Sequence, residues 1–472
     1  MGARTKNGSR RSRGEVRKGL SGYEKQVASL PPAIPPAYRM TGPNENIVLF
    51  EGELELRGKR KGRVVRPGRI YLRWLPEPRI EFEVQGGVIV DLQRHDGGTL
   101  KLKGRSWKVP FLITSQSAKL GDGPGHLVTR GILQGDVGGF LPRVRRREVS
   151  SIVFHVPNGE WLHGDWVRED GGSRAARTLL EAQGWRVTLD SVENHKDVRK
   201  DLSAAGGFAI THLGRLERTD GATFSPEDAD VALEAIYWTL SFLWGRRTGP
   251  TLLVGYSQRG KPVYEDWSVS QLTRWRYVRA WAPVRDPSQL SSLYEGILTK
   301  WKSDLWRHTL TQGFHWYVEA QRQAGAVEGS LVLVQVAFEQ LWWTVFVGEN
   351  QVVHLSDVKA ADKIRLLLDR HQVPFDIPAS LTGLQAKKKA DQHWVDGPAA
   401  ITLLRNTIVH PSKGLKHRPI PEDAPLWETL QLGIWYLEMT LLAVLGYNGP
   451  YHPRIPLRGH AMDVKPVPWA AP

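Results

Sequence analysis

The stretch "NIVLFEGELEL", residues 46–56, sets the fold of the first half of the chain. Its second half alternates polar and apolar residues, with Glu53 and Glu55 on either side of Leu54. A period of two places successive side chains on opposite faces of a β-strand. Similar stretches follow between Gly, Pro and Asp turns: "GRIYLRWL" (68–75), "RIEFEVQGGVIVDL" (79–92), "TLKLKGRSWKVPFLIT" (99–114) and "SSIVFHV" (150–156). Short strands at this spacing predict a β-sandwich or a β-barrel.

The next part of the chain mixes the strand period with the helix period. "SPEDADVALEAIYWTLSFLWG" (225–245) predicts a helix, with Ser225 as N-cap and Pro226 in its first turn. "SRAARTLLEAQGW" (173–185) also reads as a helix, closed by Gly184. The remaining apolar stretches predict strands: "RVTLDSV" (186–192), "FAITHLGRLER" (208–218), "PTLLVGYSQ" (250–258) and "KPVYEDWSV" (261–269).

After about residue 295 the pattern becomes helical throughout. Apolar stripes joined by short connections predict an antiparallel helical bundle, with helices near 304–323, 330–347, 357–370, 379–390, 397–410 and 425–446. The predicted fold class is therefore α+β and multidomain, with a β-rich N-terminal region followed by an all-α bundle. The predicted boundaries are a flexible basic and Pro-rich arm (1–44), a β-rich region (45–285) divisible at 160, a helical bundle (295–455) and a tail (456–472).

Composition excludes several kinds of site. The chain of 472 residues contains no cysteine, which rules out disulfides, thiolate zinc sites and cysteine nucleophiles. No histidine motif has metal-ligand spacing and no Gly-rich phosphate loop occurs, so we expect neither a metal nor a cofactor. The net charge of +15 favours polyanions, and RNA is the expected partner.

A cytoplasmic protein without a membrane anchor is the expectation. The most apolar run, "LVLVQVAFEQLWWTVFV" (331–347), is shorter than a usual membrane-spanning helix and carries Gln335, Glu339 and Gln340. The basic N-terminus is not followed by the apolar segment of a secretory signal. The absence of cysteine is compatible with a reducing compartment.

The segment "PAAITLLRNTIVHPSKG" (398–414) carries the strongest candidate for chemistry. Ile401, Leu404 and Ile408 share the buried face that its helical period predicts. Asn406 and His410 are four residues apart and share another face, with Arg405 next to it. Because a proline follows His410, this residue is expected to leave helical geometry at the end of the helix.

The bundle resembles the HEPN superfamily, whose helical bundles occur in many prokaryotic toxins, defence proteins and ribonucleases. The resemblance rests on "RNTIVHP" (405–411), on "GFHWYVEAQ" (313–321) and "VQVAFEQLWW" (334–343) before it, and on "LQLGIWYLEMTLLAVLGYNGPY" (430–451) after it. It covers about 300–455. The arrangement of a long β-rich region joined to such a bundle is similar to HEPN proteins linked to anti-phage defence.

The resemblance implies a metal-independent endoribonuclease, in which the ribose 2′-OH attacks its own phosphate. In that reading His410 is a general acid or base, Arg405 stabilises charge on the phosphate, and Asn406 orients the phosphate or the imidazole. One chain supplies one copy of the motif, so the resemblance also implies a homodimer with its two-fold axis near this helix.

Further residues near the motif have two readings each. Glu339, with Gln335 four residues before it, either orients Arg405 from inside the bundle or faces water. Lys413, Lys416 and Arg418 either bind flanking RNA phosphates or belong to a solvated basic loop.

Two functions stay open at the level of sequence. The first is the ribonuclease, in anti-phage defence or toxin-like growth arrest, with residues 45–285 as a sensor or regulator of a phage-derived or small-molecule trigger. The second is a non-catalytic dimerisation and RNA- or nucleotide-binding protein, in which Arg405 and His410 are only structural. Retention of both residues favours the enzyme. The segment "LLVGYSQRG" (252–260) is not a hydrolase elbow, because Arg259 stands where that turn needs glycine.

Overall fold

A computed structural model provides the architecture. It describes residues 22, 24–58, 63–85, 97–102, 108–118, 127–133, 148–170, 172–283, 289–323, 325–349, 357–410, 424–455 and 464–470. Structural statements below refer to these residues.

The first strands close into a barrel. They are β1 (Ile47–Gly58), β2 (Arg63–Arg73), β3 (Arg79–Gln85), β4 (Gly97–Leu102), β5 (Lys108–Ala118) and β6 (Leu127–Leu133). Their order around the barrel is β1-β2-β3-β6-β5-β4. Leu54, Leu56 and Phe82 are completely buried, whereas Glu51, Glu53 and Arg57 are exposed. The alternation in residues 46–56 therefore separates core from solvent, as predicted.

A seven-stranded antiparallel sheet follows the barrel. Its strands are β7 (Ser151–Pro157), β8 (Asp165–Glu169), β9 (Gly172–Ala182), β10 (Trp185–Ser191), β11 (Ile210–Arg218), β12 (Thr251–Tyr256) and β13 (Pro262–Asp266). The spatial order is β13-β12-β7-β11-β10-β9-β8. Helix α1 (His195–Ala205) links β10 to β11, and α2 (Asp230–Trp244) links β11 to β12. Ser225 caps a 3-10 turn, Pro226–Ala229, that leads into α2.

Both faces of the sheet are covered, which explains why every residue of β7 is buried. On one face Ile152 and Phe154 belong to the core that continues into the helices. On the other face Val153 belongs to the core shared with the barrel, together with Leu252 and Trp267. The sheet thus separates the barrel from the helical region.

One prediction for this sheet is wrong. Residues 173–185 were expected to form a helix, but they form β9 and the turn that follows it. The burial of Thr178, Leu180 and Ala182 alternates with exposed Leu179 and Glu181, which is the pattern of a strand with one covered face. Gln183 and Gly184 have φ values of 49° and 79°, so they form a tight turn into β10. Sheet pairing here outweighs the helical propensity of Ala, Arg and Leu.

The second half of the chain is helical, as predicted. The helices are α3 (Leu290–Lys300), α4 (Asp304–Arg322), α5 (Ala326–Trp342), α6 (Ala360–Arg370), α7 (Thr382–Ala390), α8 (Gly397–Val409) and α9 (Leu426–Val444). Helix α5 continues through a π-helical turn, Trp343–Gly348. A small hairpin of β14 (Pro450–Tyr451) and β15 (Lys465–Pro466) follows. The α+β, multidomain fold class is thereby confirmed.

Helix α5 and its extension form the most apolar element of the bundle. Among the described residues, one helix, Ala326–Gly348, is long and apolar enough to cross a membrane by length and composition, with a mean hydropathy of 1.5. This helix extends further than the sequence predicts. Half of that window is buried inside the protein, and α5 packs against α4, α6, α8 and α9.

The Pro-rich segment 30–44, which the sequence predicts as part of a flexible arm, lies against the sheet. Ala33 N donates to Arg168 O at 3.0 Å, and Ile34 N donates to the Asp190 carboxylate at 2.8 Å. Tyr38 N donates to His155 Nε2 at 3.2 Å. Residues 30–44 therefore form a strap across the barrel side of the sheet, fixed by backbone hydrogen bonds that the sequence pattern does not reveal.

Candidate functional site

The N-terminus of α8 is fixed by a carboxylate with two roles. The Asp396 side chain accepts a hydrogen bond from Ala399 N at 2.8 Å, so Asp396 is the N-cap of this helix. The same carboxylate receives two bonds from the Arg365 guanidinium, at 2.7 and 3.0 Å. The start of α8 is thus tied to α6 by a bidentate ion pair.

The apolar face of α8 packs where three helices converge. Ile401 and Leu404 are buried, as the helical period predicts. A Cβ atom at Gly433 of α9 would lie 3.1 Å from Val334 of α5 and 3.5 Å from Ile401. Glycine at this position therefore lets α9 approach α5 and α8 closely. The buried face holds the opposite, partly exposed face of α8 in a defined orientation.

The end of α8 brings together the residues that the motif singled out. Arg405 Nη1 lies 3.1 Å from His410 Nε2 and donates to Asn406 Oδ1 at 3.1 Å. Asn406 and His410 are exposed, and Arg405 is half-buried. His410 leaves helical geometry, with φ −114° and ψ 86°, while its backbone N–H still donates to Asn406 O. The helix end therefore presents a guanidinium, an amide and an imidazole side by side.

The contact between Arg405 and His410 has one chemical direction. A guanidinium only donates hydrogen bonds, so Arg405 Nη1 donates and His410 Nε2 accepts. Arg405 Nε is buried without a hydrogen-bond partner among the described residues. Because Nε is not accessible, an incoming anion would contact the Nη nitrogens of the guanidinium.

Among the described residues, neither Glu339 nor Gln335 has a hydrogen bond to the motif. Glu339 Oε2 accepts from Lys363 Nζ at 2.5 Å, so its described partner is a lysine of α6 and not Arg405. Gln335 is buried, and its Oε1 has no hydrogen-bond partner among the described residues. Lys413, Lys416 and Arg418 lie outside the described residues. An RNA-binding role for these three cations remains a prediction.

A second candidate site lies far from the motif in sequence. It is a cavity of about 660 Å³ between α1, the loop after β7, the end of α2 and the segments 277–282 and 452–453. Small-molecule sites usually have volumes of ~300–1,000 Å³. We call it the α1 cavity. Neither this cavity nor the larger one of about 840 Å³ beneath segment 30–44 is lined by residues of the 405–410 motif.

One wall of the α1 cavity is a stack of rings. The His212 ring lies on Trp244, with centroids 5.2 Å apart, and the His195 ring meets His212 edge-on at 5.3 Å. Both imidazoles are buried, and burial lowers the pKa of each below its ordinary value. The Gly159 carbonyl and Glu160 carboxylate oppose this shift in the pKa of His195. Both rings are accordingly neutral near pH 7.

Several polar atoms of this wall have no partner of ordinary geometry among the described residues. They are both ring nitrogens of His195, Nε2 of His212 and Nε1 of Trp244. His195 and Trp244 line the cavity directly. Buried polar groups normally satisfy their hydrogen bonds with protein, water or ligand. This wall is therefore suited to hydrogen-bond a polar ligand.

A second part of the lining is basic because of the periodicity of α1. Lys196, Arg199 and Lys200 lie at i, i+3 and i+4 and all line the cavity. Asp197 and Asp201 lie on a different face and do not line it. The apolar positions Val198 and Leu202 are buried on the side of α1 that packs on the sheet. The sequence "HKDVRKDLS" (195–203) thus places cations on the cavity side of the helix.

A buried arginine positions the only carboxylate that lines this cavity among the described residues. Arg246 is 1% exposed, donates to Asn158 O at 3.2 Å and to Glu160 Oε1 at 3.1 Å. Its guanidinium also lies 4.2 Å from the centroid of the Trp275 ring. Arg199 donates to the other oxygen of Glu160 at 2.8 Å. Two arginines therefore neutralise Glu160 and leave the cavity with a net positive wall.

The sequence predictions did not include these residues. The basic spacing in residues 196–200 was a readable signal for a cationic helix face, but α1 itself was not predicted. The aromatic wall has no local signature, because Trp244 and Tyr277 come from separate elements.

Two parts of the chain match models of known protein domains. Residues 145–278 match the model of the YopA central domain, and residues 303–463 match the model of the YopA C-terminal domain. The chain is similar to the SPbeta prophage-derived uncharacterized protein YopA of Bacillus subtilis (strain 168), with 28% identity over 421 residues. This similarity covers 85% of the chain and 90% of the relative. No solved structure matches the chain.

Proposed function

We propose that this protein is a metal-independent endoribonuclease of the HEPN type, with Arg405, Asn406 and His410 at its active site. One observation carries the proposal: Arg405 Nη1 contacts both His410 Nε2 and Asn406 Oδ1 at 3.1 Å on the accessible end of α8. A planar cation beside a neutral imidazole supplies the two functions that phosphodiester transesterification needs, an oxyanion ligand and a proton acceptor.

The chemistry follows from these groups. A phosphate entering between the side chains takes the guanidinium hydrogen bonds and frees His410 Nε2 to accept the proton of the ribose 2′-OH. The 2′-oxygen then bonds to phosphorus, and the bond from phosphorus to the 5′-oxygen breaks, leaving a 2′,3′-cyclic phosphate. A protonated imidazole donates to the departing 5′-oxygen. Arg405 stabilises the negative charge on the non-bridging oxygens.

The second proton transfer motivates a homodimer. One α8 end carries one imidazole, and general acid and general base are needed together in one turnover. We propose that two copies meet near the end of α8, so that each supplies one His410. Val409, next to this histidine, is 38% exposed, and an apolar side chain there suits a subunit interface.

The biological setting that we propose is anti-phage defence or toxin-like growth arrest in the cytoplasm. The Bacillus subtilis relative is described as SPbeta prophage-derived, which supports a role in the encounter between phage and host. In this proposal the β-rich region is the sensor or regulator of the helical bundle, and a phage-derived or small-molecule trigger acts there.

A non-catalytic RNA- or nucleotide-binding protein is the alternative. One observation favours it: the 405–410 motif lines neither the α1 cavity nor the cavity beneath segment 30–44. In this alternative the Arg405–His410 contact only closes the end of α8.

Cleavage of RNA by the full-length protein in EDTA tests the proposal. His410→Ala is expected to reduce the cleavage rate by about 10²–10⁴-fold, the usual contribution of a general acid or base. His308→Ala is the matched control, because this histidine is exposed on α4, away from the motif. Circular dichroism and sedimentation confirm that the variants keep the wild-type fold and oligomeric state. Binding of RNA without cleavage by any of the proteins would support the alternative.

A further inference from the structure

The α1 cavity combines two chemistries in one half-open volume. Its lining is cationic along α1 and aromatic around Trp161, Trp244 and Tyr277. The Tyr277 ring is 76% exposed and lines this cavity. Exposed aromatic rings at the edge of a cavity are suited to stack on a flat ligand.

Three of the four Lys and Arg residues that line this cavity have no acidic partner among the described residues. Within the described part of the chain, Arg199 pairs with Glu160, but no ion pair with a carboxylate involves Lys196, Lys200 or Arg279. Arg279 Nη2 donates only to a carbonyl, Pro453 O, at 3.2 Å. Like charges gathered around one volume repel each other unless an anion lies between them. A ligand with more than one negative charge would remove that cost.

The inner wall adds hydrogen-bonding specificity. His195 is 4% exposed, lines the cavity, and has no hydrogen-bond partner of ordinary geometry at either ring nitrogen among the described residues. A neutral imidazole offers one donor and one acceptor, and Trp244 Nε1 offers a further donor. The edge of a heteroaromatic base presents donors and acceptors in the same plane, which matches such a wall.

We propose that the α1 cavity binds a free nucleoside phosphate. The phosphates lie along Lys196, Lys200 and Arg279, and the base lies between Tyr277 and the wall formed by His195 and Trp244. The volume of about 660 Å³ lies in the range of small-molecule sites, which favours a free nucleotide as the ligand. This site does not depend on the ribonuclease proposal, because it shares no residue with the 405–410 motif.

Isothermal titration calorimetry of the full-length protein tests the site. The ligands are ATP, GTP, their monophosphates, inorganic triphosphate and a short single-stranded RNA. Saturable binding of at least one nucleoside phosphate is expected, with a Kd below about 1 mM that weakens as salt rises. The Lys196→Glu/Lys200→Glu variant is expected to weaken this binding at least tenfold. Tyr277→Ala is expected to weaken nucleotide binding and to leave binding of inorganic triphosphate unchanged.

The matched control is Lys388→Glu/Lys389→Glu. These two lysines are exposed near the end of α7, so the variant has the same change in net charge on a helix that does not line the cavity. It is expected to bind nucleotide as the wild type does. Equal loss of binding in both double variants would overturn the site, because net charge alone would then explain the affinity.

Two further outcomes decide between ligands and separate this proposal from the enzymatic one. Tighter binding of the RNA than of any free nucleotide, lost in the Lys196→Glu/Lys200→Glu variant, would replace the proposal with a nucleic acid site. Absence of saturable binding of every nucleotide also overturns it. His410→Ala is expected to bind nucleotide normally, so a protein without ribonuclease activity can still confirm the cavity.

Discussion

Arg454 and Glu438 form a completely buried ion pair inside the helical bundle. Arg454 Nη2 lies 2.6 Å from Glu438 Oε1, and the two side chains are 2% and 0% exposed. Tyr317 OH donates to the same oxygen at 2.8 Å, and Arg454 Nη1 donates to Gln431 at 3.1 Å. Arg454 also donates to the carbonyl of Arg279, a residue of the α1 cavity. The pair therefore ties α4, α9 and the cavity wall to the segment that follows β14.

Removing one partner of this pair is expected to destabilise the protein strongly. Arg454→Met leaves the Glu438 carboxylate buried without its cation, at a cost of about 3–5 kcal/mol. The free energy of unfolding in urea measures the effect. The double variant Arg454→Met/Glu438→Leu is expected to recover a large part of the loss, because no charge is then left buried. A double variant as unstable as the single one would contradict this account of the pair.

The protein is expected to become less stable as the pH decreases, because His155 is buried in the sheet as a neutral ring. This histidine is completely buried, and burial lowers its pKa from 6.5 to about 4. Its Nε2 accepts from Tyr38 N and its Nδ1 lies 3.1 Å from Leu252 O, an arrangement of the neutral ring. Between pH 6.5 and 4 the unfolded chain binds the proton and the folded protein does not. Stability is therefore fully present above pH 6.5 and is lost as the pH falls towards 4.

The expected size of this effect is measurable. From these two pKa values, His155 alone makes unfolding about 2 kcal/mol easier at pH 5 than at pH 8. Urea denaturation at both values compares the wild type with His155→Gln, which cannot titrate. The variant is expected to show a smaller pH dependence, while His163→Gln, on an exposed ring, matches the wild type. Equal pH dependence in all three proteins would rule out His155 as a source.

Local sequence patterns were sufficient to predict the helices and strands in which buried residues recur with a fixed period. The barrel strands follow from alternation such as that around Leu54, and α8 follows from Asp396, Pro398 and its apolar face. The proximity of Arg405 and His410 was also within reach, since both lie at one helix end and the proline after His410 predicts that this residue leaves helical geometry.

Long-range packing accounts for what could not be predicted. Strand β9 has the composition of a helix, and only its pairing with β8 and β10 makes it a strand. The α1 cavity gathers residues as distant in sequence as Glu160 and His452, so no window of sequence contains it. Segment 30–44 is ordered by single hydrogen bonds to the sheet, such as that from Ile34 N to Asp190, which leave no periodic trace.

The Asp396 cap of α8 is expected to contribute to the stability of the protein. Asp396→Ala removes the acceptor of Ala399 N and the bidentate partner of Arg365, at a cost of about 2 kcal/mol. Asp396→Asn keeps a cap acceptor and is expected to cost less. Thermal unfolding compares both with Asp391→Ala, which loses an exposed carboxylate and is expected to be the least destabilised of the three. Equal costs for Ala and Asn would show that the cap itself contributes nothing.

The shape of the Arg405 side chain, and not only its charge, is expected to matter for cleavage under the ribonuclease proposal. Arg405 Nη1 reaches Asn406 and His410 together, and the remaining guanidinium nitrogens can reach a phosphate. Arg405→Lys keeps the positive charge but loses the planar fork, so single-turnover cleavage is expected to fall about a hundredfold. RNA binding, measured by fluorescence anisotropy, is expected to change little. Because the proposed chemistry uses only these side chains, addition of EDTA is expected to leave the wild-type rate unchanged. Restoration of activity by Mg²⁺ after EDTA treatment, or a fully active lysine variant, would assign the cleavage to a different mechanism.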